Sequence, residues 1–112
     1  NVFAAETEAE AHLLASSQQQ SFVRLRSGSP GKLPPPIAGY TDTLPAHAQA
    51  MLAHIGQAAA VGTPAQVREG IAAFVARTGA DEILLCGATY DAAARIRSLE
   101  LTLEACETVL AA

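Results

Sequence analysis

Tryptophan is absent from this sequence, and Phe, Trp and Tyr together make up 4% of it. A surface that stacks on nucleobases or sugars has almost nothing to build with. Basic residues are also scarce. Seven Lys and Arg stand against eleven Asp and Glu, for a formal net charge of −4. That balance argues against the cationic patches that hold nucleic acid or an anionic membrane surface. No apolar run approaches the roughly 20 residues that span a bilayer. The opening "NVFAAETEAE" lacks the basic start, apolar stretch and cleavage site of a secretory signal. The two cysteines are Cys86, in an apolar run, and Cys106, in a helical pattern. Both are expected to be reduced core residues, as in a cytoplasmic protein.

What is present suits one soluble globular unit: 112 residues, half of them hydrophobic. The chain opens inside an apolar segment without Met, as a fragment or a processed product would.

"NVFAA" reads as the end of a strand. Thr7 and Glu10 then form a capping box, and the acidic first turn suits the positive end of a helix dipole. Leu13, Leu14, Ser17, Phe22, Val23 and Leu25 supply a loose apolar stripe. Arg24 and Arg26 suit the last turn, and Gly28 ends the helix. Residues 27–45, "SGSPGKLPPPIAGYTDTLP", hold five of the six prolines, which excludes helix and central strand. This segment is expected to be a surface excursion between two helices. "PAHAQAMLAHIGQ" returns to helix. His47 and His54 are two turns apart on it, too far to share a metal ion.

Residues 58–112 form a complete unit. "AAAV" is a short strand. Thr63 caps a helix with Pro64 at its first position and Gln66 completing a capping box. Val67, Ile71, Phe74 and Val75 fall on one helical face, and Gly79 stops the helix. "EILLCG" has no polar alternation, as in a parallel strand covered on both faces. Asp91 caps a last helix with a stripe of Ile96, Leu99, Leu103, Cys106 and Leu110. An Asp91–Arg95 pair is expected at i,i+4. The fold class is α/β, with about three short parallel strands and flanking helices. Three such strands leave two unpaired sheet edges, so the unit reads as the end of a larger α/β protein.

"VGTPAQVREGIAAFVARTGADEILL", "YDAAARIRSLEL" and "QSFVRLRSGSPGKLPPP" together resemble the C-terminal end of the bacterial luciferase-like, flavin-dependent monooxygenases. The resemblance covers nearly the whole chain, residues 1–112. It implies the C-terminal part of a (β/α)8 barrel of TIM type, a fold of about 250 residues. "NVFAA", "AAAV" and "EILLCG" would be its sixth, seventh and eighth strands. It further implies reduced FMN at the mouth of the barrel, molecular oxygen as co-substrate, and a separate flavin reductase as partner. An upstream barrel segment of the same polypeptide would complete the site, and the chain alone would be inactive and hold no cofactor tightly.

Within that barrel a phosphate site is common after strands seven and eight, which points to Gly62–Thr63 and Gly87–Ala88. Thr63 is already committed to its capping box, and Pro64 has no N–H to offer. Gly87 and Thr89 follow the eighth strand. Gly87 would let a flavin ring approach, and Thr89 would donate a hydrogen bond; a plain turn capped by Asp91 is the competing reading. No residue has the layout of a catalytic nucleophile, acid–base pair or metal ligand set. Two other functions stand beside the monooxygenase: a self-contained α/β binding or oligomerisation module, and a deazaflavin-dependent oxidoreductase on the same barrel. Exposed sheet edges and apolar faces predict a homo-oligomer.

Overall fold

In a computed structural model, which describes residues 1–110, two strands and four α-helices form the chain. Strands β1 (Val2–Ala4) and β2 (Ala60–Gly62) are parallel, with Val2 opposite Ala60, Phe3 opposite Val61 and Ala4 opposite Gly62. Helices α1 (Glu8–Arg26) and α2 (Ala46–Ile55) lie between them in sequence. Helices α3 (Pro64–Thr78) and α4 (Ala92–Leu110) follow β2.

The helix signals act as their chemistry dictates. The Thr7 hydroxyl accepts from the Glu10 N–H at 3.2 Å. At the other end of α1, Ser29 N–H bonds to Arg24 O at 2.9 Å and Gly28 N–H to Leu25 O at 3.2 Å. Those two bonds close a Schellman motif. Both arms of the second capping box are made, with Thr63 N–H donating to Gln66 Oε1 at 2.9 Å. Asp91 Oδ2 accepts from the Ala94 N–H at 2.9 Å. That carboxylate serves as the cap and makes no ion pair with Arg95 among the described residues.

Alternation along the strands divides the helices between the two sheet faces. Val2, Ala4 and Ala60 join one apolar cluster with Val67 and Ile71 of α3 and Leu101 and Cys106 of α4. Phe3 and Val61 point the other way, where they line a cleft with Ala15 and Phe22 of α1 and Leu52 of α2. The result is three layers: α1 and α2, then the sheet, then α3 and α4.

The third expected strand is not formed. Residues 82–88 run beside β1, on the edge away from β2, and make one backbone bond to it, Val2 N–H to Cys86 O at 2.7 Å. The next donor on that edge, Ala4 N–H, goes to the Ser98 hydroxyl of α4 at 2.9 Å in a buried position. A side chain thus takes the place where a ladder would continue. Residues 83–85 alternate as well. Ile83 and Leu85 pack on the core cluster, whereas Leu84 is 92% exposed. The segment is therefore covered on one face, not two. Cys86 is exposed, so of the two expected core thiols only Cys106 is buried.

Two helix stripes also differ from expectation. On α1 the buried residues are Ala11, Ala15, Ser16, Ser17 and Gln20, while Leu25 is exposed. Small residues let α1 lie close to the sheet, and its Ser16 and Gln20 are covered by the proline-rich segment. On α4, Ser98, Leu101, Thr102, Ala105 and Cys106 are buried, and Ile96, Leu99 and Leu103 face outward. The Ser98–Ala4 bond fixes that rotation. The Leu110 side chain lies outside the described residues.

Three stability changes are expected in chemical denaturation. Ser98→Ala leaves the buried Ala4 N–H without a partner and costs about 1–3 kcal/mol. Thr63→Ala removes a cap and costs about 1 kcal/mol. Ser17 Oγ is buried without a hydrogen-bond partner, so Ser17→Ala is expected to stabilise the fold by about 1 kcal/mol.

Candidate functional site

A cleft of about 590 Å³ lies on the Phe3–Val61 face of the sheet. Phe22, Leu52 and Ile55 supply apolar walls, and Gln18, Gln19, Gln49 and Asp42 supply polar groups. That volume falls in the range of small-molecule sites. A second cavity of about 520 Å³ lies between α1 and residues 37–42 of the proline-rich segment. His12, Gln19, Thr41 and Asp42 belong to both cavities and divide one from the other.

That dividing wall is held in place by the proline-rich segment, which is bound across the back of α1. Gln20 Nε2 donates to the Pro35 carbonyl at 2.8 Å, and Ile37 N–H donates to Ser16 Oγ at 2.9 Å. Pro34 is buried. A 3₁₀ turn then runs over Tyr40–Thr43, and Gln49 Nε2 ties it to α2 through Thr41 O at 2.9 Å and Leu44 O at 3.1 Å. Residues 27–45 are a surface excursion, as expected, but a fastened one. Ser16 and Gln20 carry this role and escape a reading based on apolar periodicity, because they are polar groups on a buried helix face.

The two residues expected at the cofactor, Gly87 and Thr89, lie outside both of these cavities. A Cβ at Gly87 would strike the Val2 carbonyl oxygen, with the Phe3 ring 3.4 Å away. Glycine is required there by the approach of one backbone to another. Thr89 is 2% exposed, and between them Ala88 N–H donates to Gln18 Oε1 at 3.2 Å. Residues 87–89 are thus clamped between β1 and α1, and neither Gly87 nor Thr89 lines the two large cavities. At Gly62, φ is +151° and the Gln66 side chain fills the place of a Cβ. That room lets Gln66 fold back onto the Thr63 N–H, which closes the helix start to an anion.

The charged groups complete the picture. Arg97 donates through Nε and Nη2 to Glu6 Oε1 at 3.0 and 2.8 Å, and through Nη1 to Glu100 at 3.3 Å. The Glu6 hydrogen bonds, followed by its charge, raise the guanidinium pKa further. His12 lies 3.6 Å from Glu8 on the surface. No group of three metal-ligating side chains occurs among the described residues, and His47 and His54 are exposed. Nor does any helix have the length and apolarity to cross a membrane among those residues.

Burial raises the pKa of the Cys106 thiol, so at pH 8 it holds less thiolate than a free cysteine. Alkylation of the native protein at pH 8 should modify Cys86 and leave Cys106 until the chain is unfolded; peptide mapping reads this out. Ser16→Ala is expected to speed hydrogen exchange at the Ile37 amide by tenfold or more, at about 1.4 kcal/mol per decade.

No protein-family profile matches the chain. A luciferase-like monooxygenase of Escherichia coli strain K12 is 36% identical over 110 residues, covering 98% of this chain and 33% of that protein. The uncharacterized protein YvbT of Bacillus subtilis strain 168 is 34% identical over 100 residues, covering 89% of this chain and 30% of that protein. Among solved structures, apo-MsnO8 superposes with a TM-score of 0.68 at 24% identity, over 95% of this chain and 32% of that one. That superposition concerns the fold alone. The chain therefore spans about a third of the length of the relatives it matches, and it belongs to the luciferase-like monooxygenase family as the C-terminal part of a member.

Proposed function

We propose that this chain is the C-terminal segment of a flavin-dependent monooxygenase that uses reduced FMN and molecular oxygen to oxidise an organic substrate. The observation that carries the proposal is the 36% identity to a luciferase-like monooxygenase across 98% of the chain. The reading includes a (β/α)8 barrel in the longer protein. It also includes three partners: the upstream barrel segment, a flavin reductase and a second copy of the chain.

The residues present here do not by themselves form a flavin site. Among the described residues, no Lys or Arg side chain lines the two large cavities to meet a phosphate. Gly87 and Thr89 are packed against β1 and α1. Under this proposal they approach the flavin once residues 82–88 leave β1 and lie beside β2, as sequential barrel order demands. The chain alone is then a folded but inactive part.

Titration of the purified chain with FMN, oxidised and reduced, checks this reading. No sub-micromolar binding and no turnover are expected. In the longer protein, Thr89→Ala is expected to raise the FMN dissociation constant by about 3- to 30-fold, the loss of one hydrogen bond; Thr63→Ala should lower stability and leave that constant unchanged. Tight FMN binding by the chain alone would falsify the division of labour. The outward stripe of Ile96, Leu99 and Leu103, with Leu84, is an apolar surface of the kind that seeks cover. Light scattering on the purified chain is expected to show an assembly larger than a monomer at micromolar concentration.

A further inference from the structure

The 520 Å³ cavity beneath the fastened segment has a chemistry of its own. Its apolar surface comes from Leu13 and Ile37, and a half-buried tyrosine, Tyr40, stands at its side. Two carboxylates, Glu10 and Asp42, and one imidazole, His12, line it. None of the seven Lys and Arg of the sequence is among its lining residues. Neither carboxylate takes part in an ion pair among the described residues. Glu10 sits in the first turn of α1, where the helix dipole already favours its charge. Asp42 lies in the four-residue 3₁₀ turn Tyr40–Thr43, too short to supply a comparable dipole, and it is the stronger attractor for a cation.

The walls of this cavity are fixed rather than loose. Ser16 and Gln20 hold the backbone at Ile37 and Pro35, and Gln49 holds the turn that carries Tyr40 and Asp42. A site with rigid walls loses less ordering entropy when it fills. Apolar walls, an aromatic side chain and carboxylates outside any ion pair are the elements that recognise an organic cation. The carboxylates supply charge, a tyrosine ring supplies a π face, and the apolar walls take the hydrocarbon body. An anionic ligand would meet two like charges and no cation.

We propose that this cavity binds a small organic cation, an amine or quaternary ammonium with an apolar body, seated between Asp42, Glu10 and Tyr40. The proposal is independent of the flavin chemistry above, since it needs no cofactor.

Three probes of similar size separate charge from shape: benzyltrimethylammonium, benzyl alcohol and phenylacetate. Each is titrated into the full chain at pH 8, and backbone amide shifts are followed by NMR. Benzyltrimethylammonium is expected to saturate shifts within residues 9–16 and 37–42, with phenylacetate weakest. Its preference over benzyl alcohol should be about two- to five-fold, the scale of one solvent-exposed charge pair. Asp42→Asn should remove most of that preference and Glu10→Gln a smaller part. Both residues are exposed, so circular dichroism and melting are expected to stay as in the parent chain, which separates lost binding from lost fold. Phenylacetate binding as tightly as the cation, saturation at residues elsewhere, absence of saturation, or an unchanged preference in Asp42→Asn would each overturn the assignment.

Discussion

The outer edge of β1 is the constraint on which the rest of the structure depends. A three-residue parallel strand has few bonding positions, and here each of two inner donors finds a different kind of partner. Val2 N–H takes the Cys86 carbonyl, and Ala4 N–H takes the Ser98 hydroxyl. The first bond draws residues 82–88 to β1 and away from β2. The second turns α4 so that Ser98 and Leu101 face inward. From those bonds follow the clamped turn at 87–89, the glycine at 87 and the outward leucines of α4. An unpaired N–H at either position would carry the full cost of a buried donor without an acceptor.

Local chemistry was largely legible in the sequence. The caps at Thr7, Thr63 and Asp91, the stops at Gly28 and Gly79, and the two parallel strands all follow from short-range rules. The third strand was not legible, because "EILLCG" has strand composition whether or not a partner edge is free. Its pairing is decided by Ser98, a residue ten or more positions away that carries no strand signal. The α4 stripe failed for a related reason. Ile96, Leu99 and Leu103 have the periodicity of a core face, but a serine bonded to a buried backbone amide decides which side of the helix is inside. Periodicity identifies an apolar face and is silent about what covers it.

The candidate site was the least legible part. Position in a barrel points to Gly87 and Thr89, while the two cavities described above depend on Ser16, Gln20 and Gln49, which fasten the segment around Tyr40. Those residues are ordinary in sequence. They acquire a role only when a stiff proline-rich chain is laid across α1 and three side chains hold it there. Proline contributes by limiting the conformations of the free segment, so that few bonds suffice to fasten it.

The bond between Ala4 and Ser98 joins residues 94 apart in sequence. Closing so long a loop is entropically slow and must precede the contacts that reward it. On a ribosome, the first strand would be synthesised well before the helix that satisfies its edge. Until α4 emerges, the Ala4 N–H lacks its Ser98 partner, and a strand with an unpaired edge donor is the form of a chain most readily captured by a chaperone or by another strand.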